Sequence, residues 1–302
     1  MAWGLITYQD AARREDLMDI IGDVSPDETP LMTLFGTSTA AGTLHEWLKH
    51  SVTRPTSVSA DAEGAETTFS DLTQPSRESN VTHIIKEPIQ VSRTERKVNV
   101  AAMGDPYAFQ KADALRRMKM KMEYALLNST RASGSSGVAR KMTGIDAFIT
   151  SVVTARNSGT SFSEQELNDM TADAYGEVRA DKIFDMVLCT VKIKQAIAGF
   201  GGNSTRYIDA KERRLTKDVL VYDSAVGSHR IMHHRDVRND AGSVTVYGLR
   251  EDLHKVAYLD KPMFEELAKV GDSDRGHWVT EFTLEVLEES ADAKRTGYNQ
   301  NG

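Results

Sequence analysis

Four residues of metal-binding type fall close together in the chain: His229, His233, His234 and Asp236. On a strand His229 and His233 share a face, because side chains repeat every two residues. A metal site needs a further ligand and a supporting outer shell, and the neighbouring sequence offers no evident set. Solvent-facing histidines on a strand are the better reading. The run Gly199-Phe200-Gly201-Gly202-Asn203-Ser204-Thr205 resembles a phosphate loop but lacks its lysine and follows a helical pattern rather than a strand. Cys189, the sole cysteine, closes an apolar run, where a thiol is buried, un-ionised and inert. Neither a GxSxG elbow nor an HExxH pair occurs. Asn80, Asn128 and Asn203 open glycosylation triplets, which carry meaning only in a secreted chain. The residues therefore point to no catalytic centre, no cofactor and no metal.

One electrostatic pattern stands out. Between 105 and 131, Lys111, Arg116, Arg117, Lys119, Lys121 and Arg131 outnumber Asp105, Asp113 and Glu123. Arg116, Arg117, Lys119 and Lys121 could meet phosphate without sequence preference. A solvated helix face, or a partner for the acidic N-terminal segment, is an equally good reading. The whole chain, 302 residues with a formal charge of −7, does not resemble a dedicated nucleic-acid binder. A single cysteine rules out an intrachain disulfide and fits a reducing compartment. No apolar run is long enough to span a membrane, and the start of the chain is not that of a signal peptide. A protein made in the cytoplasm, with no membrane partner, is expected.

The elements that would position these residues can be read from pattern. Residues 1–42 are acidic, with a short helix expected over 16–22 and another from Leu31 to Phe35 after the turn residues Ser25 to Pro30. The clearest helix runs 105–131. Asp105 caps it, Pro106 takes its first position, and Ala108, Ala112, Leu115, Met118, Met122 and Leu126 form its apolar stripe. It should end at the flexible Ser133-Gly134-Ser135-Ser136-Gly137. A mixed α and β region follows. It has a capping box at Ser163 and Glu166 opening a helix to Val178, and a buried strand over 183–189. A short helix over 191–198 comes next, then strands over 218–223, 229–233 and 243–247 with a turn at 238–242. Residues 278–287 alternate as a half-buried strand, with Trp278, Phe282, Leu284 and Val286 on one face. The tail, 293–302, is polar and expected to be loose.

Residues 53–82 break this order. Their only large apolar side chains are Val58, Phe69, Leu72 and Val81, too few for a core. So long a structureless stretch inside a compact domain is functional or disordered. Here it is rooted between the amphipathic His45-Glu46-Trp47-Leu48 and the strand-like Ile84 and Ile85. Folded as a hairpin it would reach roughly 45–50 Å, enough to cross onto a neighbouring copy of the chain.

A set of motifs now falls into sequence. Ser25-Pro26-Asp27-Glu28-Thr29-Pro30-Leu31, His45-Glu46-Trp47, Glu63-Gly64-Ala65, Arg77-Glu78-Ser79-Asn80 and Val91-Ser92-Arg93-Thr94 come in order. Gly144-Ile145, Gly271-Asp272-Ser273 and Glu281-Phe282-Thr283-Leu284-Glu285 follow. Together they resemble the major capsid proteins of tailed phages, with His83 standing where that pattern has glutamine. The resemblance implies an α+β fold of the Hong-Kong-97 type. It would comprise an N-terminal arm over 1–42 and an extended loop with its roots over 43–96. A peripheral domain over 97–144 would carry the spine helix and a returning strand within 266–290. An axial domain over 145–265 and a tail over 291–302 complete it. It also implies a non-enzymatic shell protein of hexamers and pentamers enclosing double-stranded DNA in a virion. Intersubunit contacts would fall on His45, Glu46, Trp47, Glu63, Phe69, Leu72, Arg77 and Asn80. A separate scaffolding protein, a portal and optional cement proteins would be partners, with non-specific DNA contact through the basic helix. Two other readings are a nanocompartment shell and, less well supported, a cytoplasmic α/β enzyme whose polar arm is a lid.

Overall fold

The computed structural model describes residues 29–50, 57–67, 74–98, 105–177, 182–200, 221–240 and 243–299. The helix expected over 16–22, Phe69, Leu72 and most of the glycine-rich run after Phe200 lie outside these residues. No described helix is long and apolar enough to cross a membrane.

The long helix, α3 (Pro106–Asn128), forms as its sequence dictates. Asp105 accepts the Tyr107 amide at 3.0 Å, and Pro106 occupies the first turn, where no N–H is needed. It ends three residues earlier than expected because Ser129 turns to an extended conformation. Twenty-three residues make it about 35 Å long. It lies on strand β4 (His83–Ser92), whose alternation puts Ile85, Glu87, Ile89 and Val91 inward.

Strand β4 is one edge of a four-stranded sheet in the order β1 (Gly36–Thr39), β11 (His254–Leu267), β12 (Ser273–Val286), β4. The β11–β12 and β12–β4 pairs are antiparallel, and β1 joins β11 in parallel at its start. A separate hairpin, β2 (Leu44–Lys49) with β3 (Ser76–Val81), is joined to β12 by the Trp47, Asn80 and Thr283 hydrogen bonds. Strand β12 is therefore not half-buried as its alternation suggests. Residues 282–286 are buried throughout, and Thr283 donates to the Val81 carbonyl at 2.9 Å.

The second sheet runs β5 (Val153–Thr160), β13 (Ala293–Tyr298), β10 (Ser243–Leu249), β6 (Met186–Cys189), β8 (Ser228–His233), β7 (Val221–Asp223), with β9 (Asn239–Asp240) beside β10. Alternate residues of β6 and β10 feed two different cores. Met186, Leu188, Tyr247 and Leu249 join Met118, Met122, Leu126 and Phe282 in one cluster. Val187, Cys189, Val244 and Val246 join the helices α5 (Glu164–Glu177) and α6 (Val191–Ala198) in the other. The two sheets thus share a core through the spine helix.

Other expectations are overturned as well. The tail is not loose over its described residues, 293–299: β13 pairs with both β5 and β10, and Arg295 and Tyr298 are buried. Its polar letters conceal a strand because Arg295 pairs with Asp173 and the Tyr298 hydroxyl donates to Glu166, both at the helix above. Strand β11, expected to belong with the preceding residues, pairs with β12, so the chain crosses between sheets at 250–253 and again at 287–292. The expected flexible break at 133–137 is instead a tight turn, with Ala132 bridged to Lys141 and Ser135 to Val138.

Gly297 tests the tail assignment. It has φ of +94°, and a Cβ there would lie 1.9 Å from the Arg156 carbonyl oxygen across the β13–β5 pair. Gly297→Ala should abolish that pairing and cost the subunit most of its stability, read as a collapse of the denaturant midpoint. A midpoint near the unsubstituted chain would mean that β13 does not pair as described.

Candidate assembly surface

The hairpin β2–β3 roots the polar arm, and its outer ends, Lys49 and Ser76, are register partners. His45 and Trp47 point to the same face, their rings 5.5 Å apart. Trp47 is buried against the tilted ring of Phe148, and its indole N–H donates to the Val286 carbonyl at 3.0 Å. His45 Nε2 lies 3.2 Å from Glu285, which also accepts from Ser38 at 2.8 Å. Asn80, fully buried, makes four hydrogen bonds. Its amide donates to the Thr143 and Leu284 carbonyls, and its oxygen accepts from the Val81 and Thr143 amides. That saturates its side chain.

The predicted contact residues therefore separate. Trp47, Asn80 and most of His45 are engaged within their own chain. Glu46 and Arg77 face solvent, 3.5 Å apart, and Glu63 sits in the wholly exposed stretch 57–67 around the turn at Gly64. Phe69 and Leu72 lie outside the described residues.

The other family-resembling motifs also meet one another. The Arg93 amide donates to the Asp272 carbonyl at 3.0 Å, its side chain lies 2.8 Å from that carboxylate, and Ser92 caps the short helix α2 (Arg93–Lys97). Glu281 accepts from Thr82 and from Arg140. Gly144 is wedged against the end of α3, its amide donating to Ser129 at 2.8 Å; an added Cβ would meet three backbone atoms within 2.9 Å. These motifs are joints within the subunit.

The basic face is thinner than its letters. Glu87, buried on β4, binds both Arg117 and Lys121; burial alone would raise its pKa, but these two cations hold it below the ordinary value. Lys121 is nevertheless exposed, as are Arg116 and Lys119. Glu123, one of the carboxylates tallied against those cations, is fully buried. It accepts the Leu31 and Met32 amides of helix α1 (Pro30–Leu34) at 2.7 and 3.1 Å, and His234 Nε2 at 2.9 Å. His234 Nδ1 accepts the Asp236 amide, which fixes the tautomer with the proton on Nε2.

Among the described residues no group of three or more His, Cys, Asp or Glu side chains stands together as metal ligands would. His229 and His234 are buried rather than solvent-facing. His229 is held between the Phe184 carbonyl and Ser224, while His233 is exposed. Burial pushes the Cys189 thiol up to about 12, so it stays protonated.

The described subunit thus has an arm rooted on one sheet, a spine helix and a second sheet sharing its core. A sequence profile of the SU10 major capsid protein family matches residues 5–299. The chain belongs to that family. It is a tailed-phage major capsid protein, a structural component of a virion that forms a shell from copies of itself. A search of curated proteins found no significant match.

Solved structures agree on the Hong-Kong-97-type fold. The capsid of Cyanophage A-1(L) is similar at 14% identity and a TM-score of 0.67, covering 99% of this chain and 100% of its own. The capsid of Myoviridae Phage XM1 is similar at 14% identity and 0.63, covering 94% and 96%. A holo-SrpI encapsulin complex from Synechococcus elongatus PCC 7942 is similar at 11% identity and 0.60, covering 100% and 98%.

Two substitutions separate joints from surface. Trp47→Ala should lower the subunit's own stability by about 3–5 kcal/mol, the cost of removing a buried aromatic. Glu123→Ala should cost a similar amount, because two amides and a histidine lose their acceptor together. Chemical denaturation of the unassembled chain reads both. Unchanged midpoints would place either residue at an interface instead.

Proposed function

We propose that this major capsid protein forms the hexamers and pentamers of an icosahedral head enclosing double-stranded DNA. Each arm would lie on the neighbouring subunit. The observation that carries this is the contrast at the arm. Its root is pinned by buried hydrogen bonds, whereas every described residue from 57 to 67 is exposed and Asp61, Glu63 and Glu66 supply three carboxylates without a cation. A single chain serving five-fold and six-fold rings needs polar interfaces that tolerate small rotations, and such an arm meets that need.

The four-stranded sheet with α3 would be the peripheral unit, and the second sheet with α5 and α6 the axial unit near capsomer centres. Glu46, Glu63 and Arg77 are then the arm residues with surface to offer a neighbour, and Arg116, Arg117, Lys119 and Lys121 the cations for packaged DNA. Assembly in the host cytoplasm with a separate scaffolding protein, a portal and, where present, cement proteins completes the reading. The role is mechanical, without catalysis. The similarity to an encapsulin structure supports a second reading, a protein-filled compartment.

Electron microscopy of the co-expressed chain should show closed icosahedral shells or capsomer rings. Nuclease-protected double-stranded DNA inside mature particles selects the phage head over the compartment. A monodisperse monomer would overturn both. Replacing residues 54–73 by a short glycine linker keeps the β2–β3 register, since Lys49 and Ser76 are already partners. That variant should stay folded and soluble yet fail to form stable shells. Unaltered shells would refute the arm assignment.

A further inference from the structure

The chain crosses between its two sheets twice, and the crossings touch: the Leu287 amide donates to the Leu253 carbonyl at 2.9 Å. Between them lie His254 and Asp292, at 1% and 0% exposure. His254 Nδ1 sits 2.8 Å from the Arg250 carbonyl, which can only accept, so Nδ1 carries a proton. Asp292 Oδ1 accepts the Arg250 amide at 2.9 Å. His254 Nε2 faces Asp292 Oδ2 at 3.2 Å, yet Oδ2 has no well-aligned donor. The contact is electrostatic, and its sign depends on whether a proton stands between the two atoms.

The surroundings are defined on every side. The Phe35 ring stacks on the imidazole, 4.9 Å between centroids. Val286 is its register partner across β12. Asp185, ahead of β6, and Glu289, in the second crossing, add negative potential to the pair. The Arg250 guanidinium binds Asp252 and the Lys182 carbonyl, and Lys255 reaches Glu285.

We propose that this joint is a one-proton clasp: an imidazolium facing a carboxylate holds the two crossings together, and its deprotonation loosens the connection between the sheets. A bare Nε2 would set a lone pair against Oδ2 in a buried place, which costs free energy that the protonated ring avoids. Burial alone would pull the histidine down, but Asp292 and the Arg250 carbonyl outweigh it and raise its pKa. Asp292 is raised as well, first by burial. Both shifts have the same sign, so the folded chain holds the pair's protons more tightly than the unfolded chain does. The clasp's contribution is complete below the ordinary histidine value of 6.5 and is lost as pH rises through the folded value. The joint is therefore alkali-sensitive, and this does not depend on shell formation.

The test uses the full chain, with ¹⁵N-labelled histidine and melting curves from about pH 6 to about pH 9. Near neutral pH the His254 ring should carry protons on both nitrogens, and Tm should fall as pH rises. Amide exchange should accelerate at 250–254 and 287–293 beyond its intrinsic base dependence. Asp292→Asn keeps an acceptor for the Arg250 amide and offers its own N–H to Nε2. Its ring should be neutral, and its Tm should lose that component of the pH dependence. A neutral ring in the unsubstituted chain near neutral pH, or the same pH dependence in Asp292→Asn, overturns the proposal. Should Asp292→Asn not fold, His254→Gln supplies a non-titrating donor, and persistence of the slope there overturns it equally.

Discussion

A carboxylate in the last third of the spine helix governs how the parts of this subunit meet. Glu123 receives two amides from the short helix at the arm's base and an imidazole from the end of β8, so three chain segments far apart in sequence converge on one side chain. An ionised group can be buried only where donors surround it. The site thus admits one arrangement of arm base, spine and second sheet, and apolar packing around Met118, Met122 and Leu126 fills in about it. Non-directional burial supplies the bulk of the stability, and the carboxylate supplies the register.

The same division recurs at the arm's root. Asn80 satisfies four backbone groups at once, and Glu281 and Glu285 gather donors from β1, β2, the Thr82 turn and the loop after α3. These are the residues through which the sequence resembles its family. They lie at the arm's root and within the subunit. A shell protein must keep its own geometry fixed while its interfaces flex, and the polar joints do the fixing.

Much of this was legible in the letters. Asp105 and Pro106 announce the spine, Ser163 opens α5, and the apolar run before Cys189 is a buried strand. What escaped has a common cause. Strand β13 reads as a polar tail because Arg295 and Lys294 find their carboxylates only in three dimensions. Glu123 reads as a surface charge because nothing local reveals that His234 and the amides of α1 will surround it. Strand β12 reads as one-sided because the hairpin covering its second face comes some two hundred residues earlier in the chain. Periodicity reports burial against a neighbour in general; it does not say which polar side chain will meet its partner.

The closeness of Lys49 and Ser76 has an architectural consequence. Because the chain leaves the body and returns at one register pair, whatever lies between them can lengthen or shorten without moving any strand, at a cost that grows only slowly with loop length. The body and the arm are mechanically decoupled at that point. Selection can then alter that connection while leaving untouched the core that makes the subunit fold.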